Sequence, residues 1–111
     1  MKRVEAIITP EKLGEVNDAL KGAGVSGVMI ENGKGRGSGK REAGYVRGYY
    51  LPQFEPRTSI MTVVEDSKVE AVVNAILSKA STGSPGDGKI FISTVDDAVD
   101  IGSKRKGTGA V

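Results

Sequence analysis

Apolar and polar positions along this chain keep two alternating rhythms. Val4, Ala6 and Ile8 fall at every second residue, the period of a short β-strand. Beyond Thr9 the spacing lengthens. Leu13, Val16, Ala19, Leu20 and Ala23 recur as on one face of a helix that runs to Gly24. Thr9 suits the N-cap of that helix and Pro10 its first position, where an N–H would have no partner anyway. Residues 25–30, Val-Ser-Gly-Val-Met-Ile, predict a second strand. Thr58 to Val64 is rich in β-branched residues and predicts a third. Asp66 or Ser67 can cap a second helix. Its apolar face is Val69, Val72, Val73, Ile76, Leu77 and Ala80, and it ends near Thr82-Gly83. Lys89 to Thr94 closes the series as a fourth strand.

The order strand, helix, strand, loop, strand, helix, strand is the split βαβ arrangement, an α+β, ferredoxin-like βαββαβ fold. Its long loop lies between strands 2 and 3. From about Gly33 to Pro56 no period holds, and glycines, prolines, tyrosines and basic residues fill the stretch. A structureless connection of that length is unusual in a compact domain and points to function. Residues 36–55 cannot bury enough apolar surface to order themselves, so they read as a flexible effector loop. Residues 100–111 form a Gly/Ser/Lys-rich C-terminal segment with little pattern. Within it Lys104-Arg105-Lys106 reads better as a solvated run than as a site. There is no internal repeat, and a chain of 111 residues is expected to make a single domain over 1–111.

Composition narrows the chemistry. With 38% apolar and 27% charged residues the balance is that of an ordinary water-soluble domain. A core this small would gain from association of subunits. Cysteine is absent, which excludes disulfides and thiolate metal sites. Histidine is absent too, which removes the commonest general base and metal ligand. No leader or membrane-span pattern is visible, so the expected location is cytoplasmic. A net charge of +2 is too small to argue for nucleic acid. An RNA-binding module of this fold would stack bases on strand aromatics, and the predicted strands offer only Phe91. No nucleophile–base pair and no carboxylate cluster spaced for a metal stands out, so the chain reads as a binder and not an enzyme. Asp96, Asp97 and Asp100 are better explained by a solvated turn than by a site.

Residues 82–91, Thr-Gly-Ser-Pro-Gly-Asp-Gly-Lys-Ile-Phe, carry the most chemistry. Gly83, Gly86 and Gly88 let backbone N–H groups approach an anion closely. Successive N–H groups in such a turn form a concave nest for phosphate oxygens, and Lys89 adds a point charge. The 82–89 segment therefore reads as a phosphate-binding loop. It is not a Walker A loop, because its lysine opens a strand and no Ser/Thr-led helix follows. A plain Gly/Pro turn joining helix to strand would share its composition.

The wording of that loop resembles the nucleotide-binding loop of the PII signal-transduction proteins (nitrogen regulatory protein PII). The opening residues 1–13 and the run Lys34-Gly35-Arg36-Gly37 resemble the same family, with matching spacing across nearly the whole chain. The resemblance implies a homotrimer with an adenine nucleotide, ATP or ADP and as an alternative AMP, in each cleft between subunits. It places Ile7, Gly35, Arg36, Gly37, Ser38, Val63, Gly86, Asp87, Gly88 and Lys89 at the nucleotide, Ile7 and Val63 near the adenine. It also implies a partner: an ammonium transporter or an enzyme of nitrogen metabolism, gripped or released through the long loop. Such a partner would bring the protein to the membrane. The arginine matching Arg47 is the one that enters the transporter's pore; beside it Tyr49 and Tyr50, apolar rings with a polar tip, read as amphipathic anchors for a partner.

The departures from the pattern bear on effectors. Gly39 stands where the family has a glutamine that helps hold Mg²⁺ with 2-oxoglutarate. Lys40 follows it, and Arg57 replaces a lysine; both are candidates for anion or effector binding. Asp100 and Gly102 replace two basic residues that reach the phosphates, and Lys104 and Arg105 lie close enough in sequence to compensate. Met29 stands in place of a threonine. The surroundings of Tyr50 are one residue short of the site that some bacteria uridylylate. ATP, with or without Mg²⁺, should therefore gain less over ADP than is usual, and 2-oxoglutarate should bind weakly or not at all. The second reading is a divergent PII-like sensor of ADP, AMP or ATP with bicarbonate or another small anion, serving a different transporter. Slow ATP hydrolysis beside Asp87 is a minor alternative.

Overall fold

The computed structural model describes residues 1–38, 44–46, 48–51 and 53–111. A four-stranded sheet takes the order β2-β5-β1-β6, with β1 Lys2–Ile8, β2 Met29–Gly35, β5 Glu55–Val64 and β6 Gly88–Thr94. Each neighbouring pair is antiparallel, as the ferredoxin-like βαββαβ fold requires. Helices α1 (Leu13–Gly22) and α2 (Val69–Ala80) cover one face. The period-2 pattern of β1 and β5 puts Val4, Ala6, Ile8, Ile60 and Val64 under those helices, where they meet Val16, Leu20, Val72, Ile76 and Ala80. Burial of these side chains, at about 1.5–3 kcal/mol for each large one, is the main favourable term of the fold.

The helix boundaries follow local chemistry. Each α-helix is preceded by a 3₁₀ turn, Pro10–Lys12 and Asp66–Lys68. Thr9 and Glu65 occupy the N-cap positions, and neither makes a side-chain cap bond. Asp66 instead pairs with the amino group of Met1 at 3.0 Å. α1 ends in a Schellman arrangement. Gly24 is left-handed at φ +86°, its N–H donates to Lys21 O, and Val25 N–H donates to Leu20 O.

That cap corrects the expected second strand. Val25 is spent on packing behind Leu20, and Thr62 Oγ1 donates to Gly27 O at 2.7 Å. The strand starts at Met29, opposite Met61, and continues through Glu31-Asn32-Gly33-Lys34 to Gly35, past the predicted end at Ile30 and into the stretch from Gly33 that sequence pattern assigned to loop. The ladder offered by β5 outweighs their poor intrinsic preference. β5 likewise starts at Glu55, three residues before Thr58.

Between Gly35 and Glu55, β3 (Gly44–Val46) and β4 (Tyr49–Leu51) pair as a separate antiparallel hairpin, turning at Gly48 with φ +83°. The long loop thus contains secondary structure of its own. The molecule measures 56 Å along its longest axis against 25 and 21 Å across. The C-terminal segment is ordered as well. Val99 bridges to Lys106, Gly107 N–H donates to Ala98 O, and a 3₁₀ turn spans Gly107–Ala110.

Candidate functional site

The β1–β6 ladder fixes the phosphate loop. Ile8 pairs with Gly88 and Ile7 with Lys89, so the loop is delivered beside the end of β1. Gly88 has φ +119°, and a Cβ there would lie 1.8 Å from Ile7 O. Only glycine can occupy that crossing. Gly86 carries no such constraint. A Cβ there would meet only the Arg57 guanidinium, in ordinary contact at 4.0 Å.

Asp87 fastens the loop. Its carboxylate accepts from the hydroxyl and N–H of Thr82, at 2.5 and 2.6 Å, and from the N–H of Gly83 at 3.0 Å. The Thr82 hydroxyl above all, then its N–H, holds the Asp87 carboxyl below its ordinary 3.8. The Asp87 N–H donates to Ser84 O, which closes the turn. The side chain thus acts through the loop's shape.

Across the last turn of the sheet stands the exit of β2. Ile7, Gly35, Arg36, Gly37, Ser38, Arg57, Gly86, Gly88 and Lys89 line one cleft of about 280 Å³, with Pro85 and Phe91. The structure therefore brings together most of the residues singled out from sequence. Asp87 lies behind this cleft, lining an apolar cavity of about 170 Å³ with Ile76, Leu77 and Ala80. Val63 is not brought there within one chain. It pairs with Arg3, four residues along β5 from the Ser59–Ile7 rung, or about 13 Å at strand rise. Lys40 and Arg47 lie outside the described residues, and Tyr49 and Tyr50 are placed only as members of β4.

Arg57 joins the two sides of the cleft. Its guanidinium donates to Glu55 Oε2 at 2.9 Å, to Pro56 O at 2.8 Å and, at longer range, to Gly86 O at 3.5 Å. Glu55 was missed by the sequence reading. The available signal was its position two residues before Arg57 on a strand, which places both on one face. Lys89 is exposed at the cleft wall. Charge here is positive from Arg36, Arg57 and Lys89, with Glu55 as the opposing group.

The C-terminal acids behave as a turn. Ser103 donates to Asp100 Oδ2 from its N–H and its hydroxyl, both at 2.8 Å, and these bonds hold the Asp100 carboxyl low. Lys104 takes a left-handed φ of +65° in that turn. No described residue beyond Phe91 lines the 280 Å³ cleft, so Lys104 and Arg105 do not reach it within one chain. Among the described residues no three His, Cys, Asp or Glu side chains come together as a metal-holding group. No helix among them is long and apolar enough to cross a membrane.

Residues 1–106 match the family model described as Nitrogen regulatory protein P-II. Over its whole length the chain is 46% identical to the Nitrogen regulatory protein P-II of Cereibacter sphaeroides and 43% identical to that of Azospirillum brasilense, covering 100% of each. It is 44% identical to Nitrogen regulatory protein P-II 2 of Methanothermobacter thermautotrophicus, covering 97% of that relative. Family match, full-length identity and the βαββαβ fold agree, and the chain belongs to the nitrogen regulatory protein P-II family.

Proposed function

We propose that this P-II protein binds an adenine nucleotide through residues 35–38, 57 and 86–89, and regulates a partner through residues 36–55. The observation that carries the reading is the cleft itself. The glycine-lined loop held by Asp87 faces the Gly35–Ser38 exit of β2 across Lys89 and Arg57. Two cations, Arg57 and Lys89, beside a glycine loop of fixed shape suit phosphate oxygens. The chain acts as a binder and not as an enzyme. Any Mg²⁺ accompanying ATP would take its ligands chiefly from phosphate oxygens and water. The partner is an ammonium transporter or an enzyme of nitrogen metabolism, and Arg47, Tyr49 and Tyr50 are the loop residues assigned to it.

The working unit is a homotrimer. The sheet face away from the helices carries the row Met29, Met61, Glu5 and Phe91, with Met29 58% and Phe91 53% exposed. Association would cover that face and bring Val63 of one subunit toward the cleft of the next. Light scattering at micromolar concentration should give a trimer mass, and a monomer mass would remove this arrangement.

Calorimetry with ATP, ADP and AMP, each with and without Mg²⁺ and 2-oxoglutarate, tests the ligand. Binding of none of the three nucleotides would overturn the reading. The engagement of Asp100 with Ser103, where relatives of the resembling pattern carry a cation, favours the second version. In it ADP or AMP binds nearly as well as ATP, 2-oxoglutarate binds weakly, and bicarbonate or another small anion is the co-effector for a different transporter.

A further inference from the structure

We propose that Glu55 is a built-in competitor for the cleft's anion and sets how tightly polyphosphate is held. Like the preceding reading it rests on this cleft being a phosphate site. The Arg57 guanidinium lines the cleft, yet its Nη2 is already engaged by Glu55 Oε2 at 2.9 Å. An arginine fork recognises carboxylate and phosphate oxygens with the same geometry, so the two compete for one donor set. The pair is partly shielded, with side-chain exposures of 21% for Arg57 and 30% for Glu55, and salt screens it less than an open surface pair. A phosphate reaching Arg57 must turn the Glu55 carboxylate out or bind beside its negative charge. Either way Glu55 lowers affinity, and more so as the anion's charge rises. Glu55 also pairs with Gly35 on the last rung between β2 and β5, where the long loop leaves the sheet.

Glu55→Gln keeps the side chain's length and an oxygen acceptor for Arg57 while removing the charge. The parent and this variant are titrated calorimetrically with sodium tripolyphosphate and, separately, with ATP. The variant should bind both about two- to tenfold more tightly, the range expected for losing one partly shielded ion-pair competitor. The gain should shrink as salt rises from about 20 to about 500 mM, which shortens the screening length from roughly 20 to roughly 4 Å. Glu70→Gln, an exposed carboxylate on α2, should change neither affinity. Unchanged or weaker tripolyphosphate binding in Glu55→Gln overturns the inference, as does a gain that ignores salt. If tripolyphosphate shows the difference but no adenine nucleotide binds, the nucleotide reading falls and the competitor stands. If nucleotide binds both forms equally, the competitor falls and the nucleotide reading stands. If neither form binds either ligand at millimolar concentration, both fall.

Discussion

Residues 82–88 and residues 36–54 border the same cleft but are held in opposite ways. The first segment is short and fastened from within, by three bonds to the Asp87 carboxylate and by the tight crossing of Gly88 over Ile7. The second leaves the sheet at the Gly35–Glu55 rung, and its only described strands pair with each other. A wall that binds an anion gains from being shaped before the anion arrives, because ordering it on binding would subtract from affinity. A segment that reports on the ligand needs the reverse, low local stability and more than one accessible shape. The cleft thus sets a wall fastened within itself against one that leaves the sheet at a single rung, with Arg57 bonded to Glu55 at that rung and to Gly86 in the loop.

The strongest way to break this contrast is at Gly88. Gly88→Ala forces a Cβ into Ile7 O and a left-handed φ on alanine, and should destabilise the fold by about 3–5 kcal/mol in urea unfolding. Gly86→Ala, two residues away, should leave stability within about 0.5 kcal/mol. Equal losses at both positions would show that the loop has no single rigid crossing.

Lys89→Ala should next weaken adenine-nucleotide binding by about 1.5–3 kcal/mol with the melting temperature nearly unchanged. Gly86→Val should weaken it comparably by obstructing the backbone approach. If both variants fold and bind ATP like the parent, the phosphate wall is elsewhere.

Asp87→Asn tests the clasp without touching the cleft lining. The Thr82 and Gly83 amides should exchange faster and nucleotide binding should weaken. The pH dependence follows from the same bonds. The folded-state pKa is depressed, so the clasp's contribution is complete above the ordinary 3.8 and is lost as pH falls through the lower folded value. Exchange at Thr82 and Gly83 should therefore be flat from neutral pH down to about 4 after correction for intrinsic rates, and rise only below that. Acceleration near pH 6 would assign the loop's stability to another group.

The smallest expected effect is on the long segment. Amides of β3 and β4 should exchange well before those of β1 and β5 in the free protein, and should slow when nucleotide is added. Slow exchange there without ligand would show two preformed walls and remove the switch.

Sequence periodicity located both helices, three of the four sheet strands and the glycine loop, because those segments carry their burial pattern in their own side chains. It placed the second strand too early and missed residues 31–35, whose Glu, Asn, Gly and Lys residues become a strand only because β5 offers them a ladder. It failed likewise at the C-terminal hairpin, which is assembled by the Asp100–Ser103 turn and the Val99–Lys106 bridge. The glycines at 86 and 88 read alike in sequence, and only the crossing with Ile7 tells them apart.

By itself, then, the sequence determined the order of elements, the apolar face of each, and the residue types available to an anion. Those properties are local, set by spacing and backbone freedom. Tertiary structure decided which of those residues meet. It brought Gly35–Ser38 to Lys89, withheld Val63 from the cleft within one chain, turned Asp87 into a clasp, and gave Arg57 a carboxylate partner. Such meetings depend on strand register and loop closure across the fold, and no local spacing encodes a distance between segments fifty residues apart.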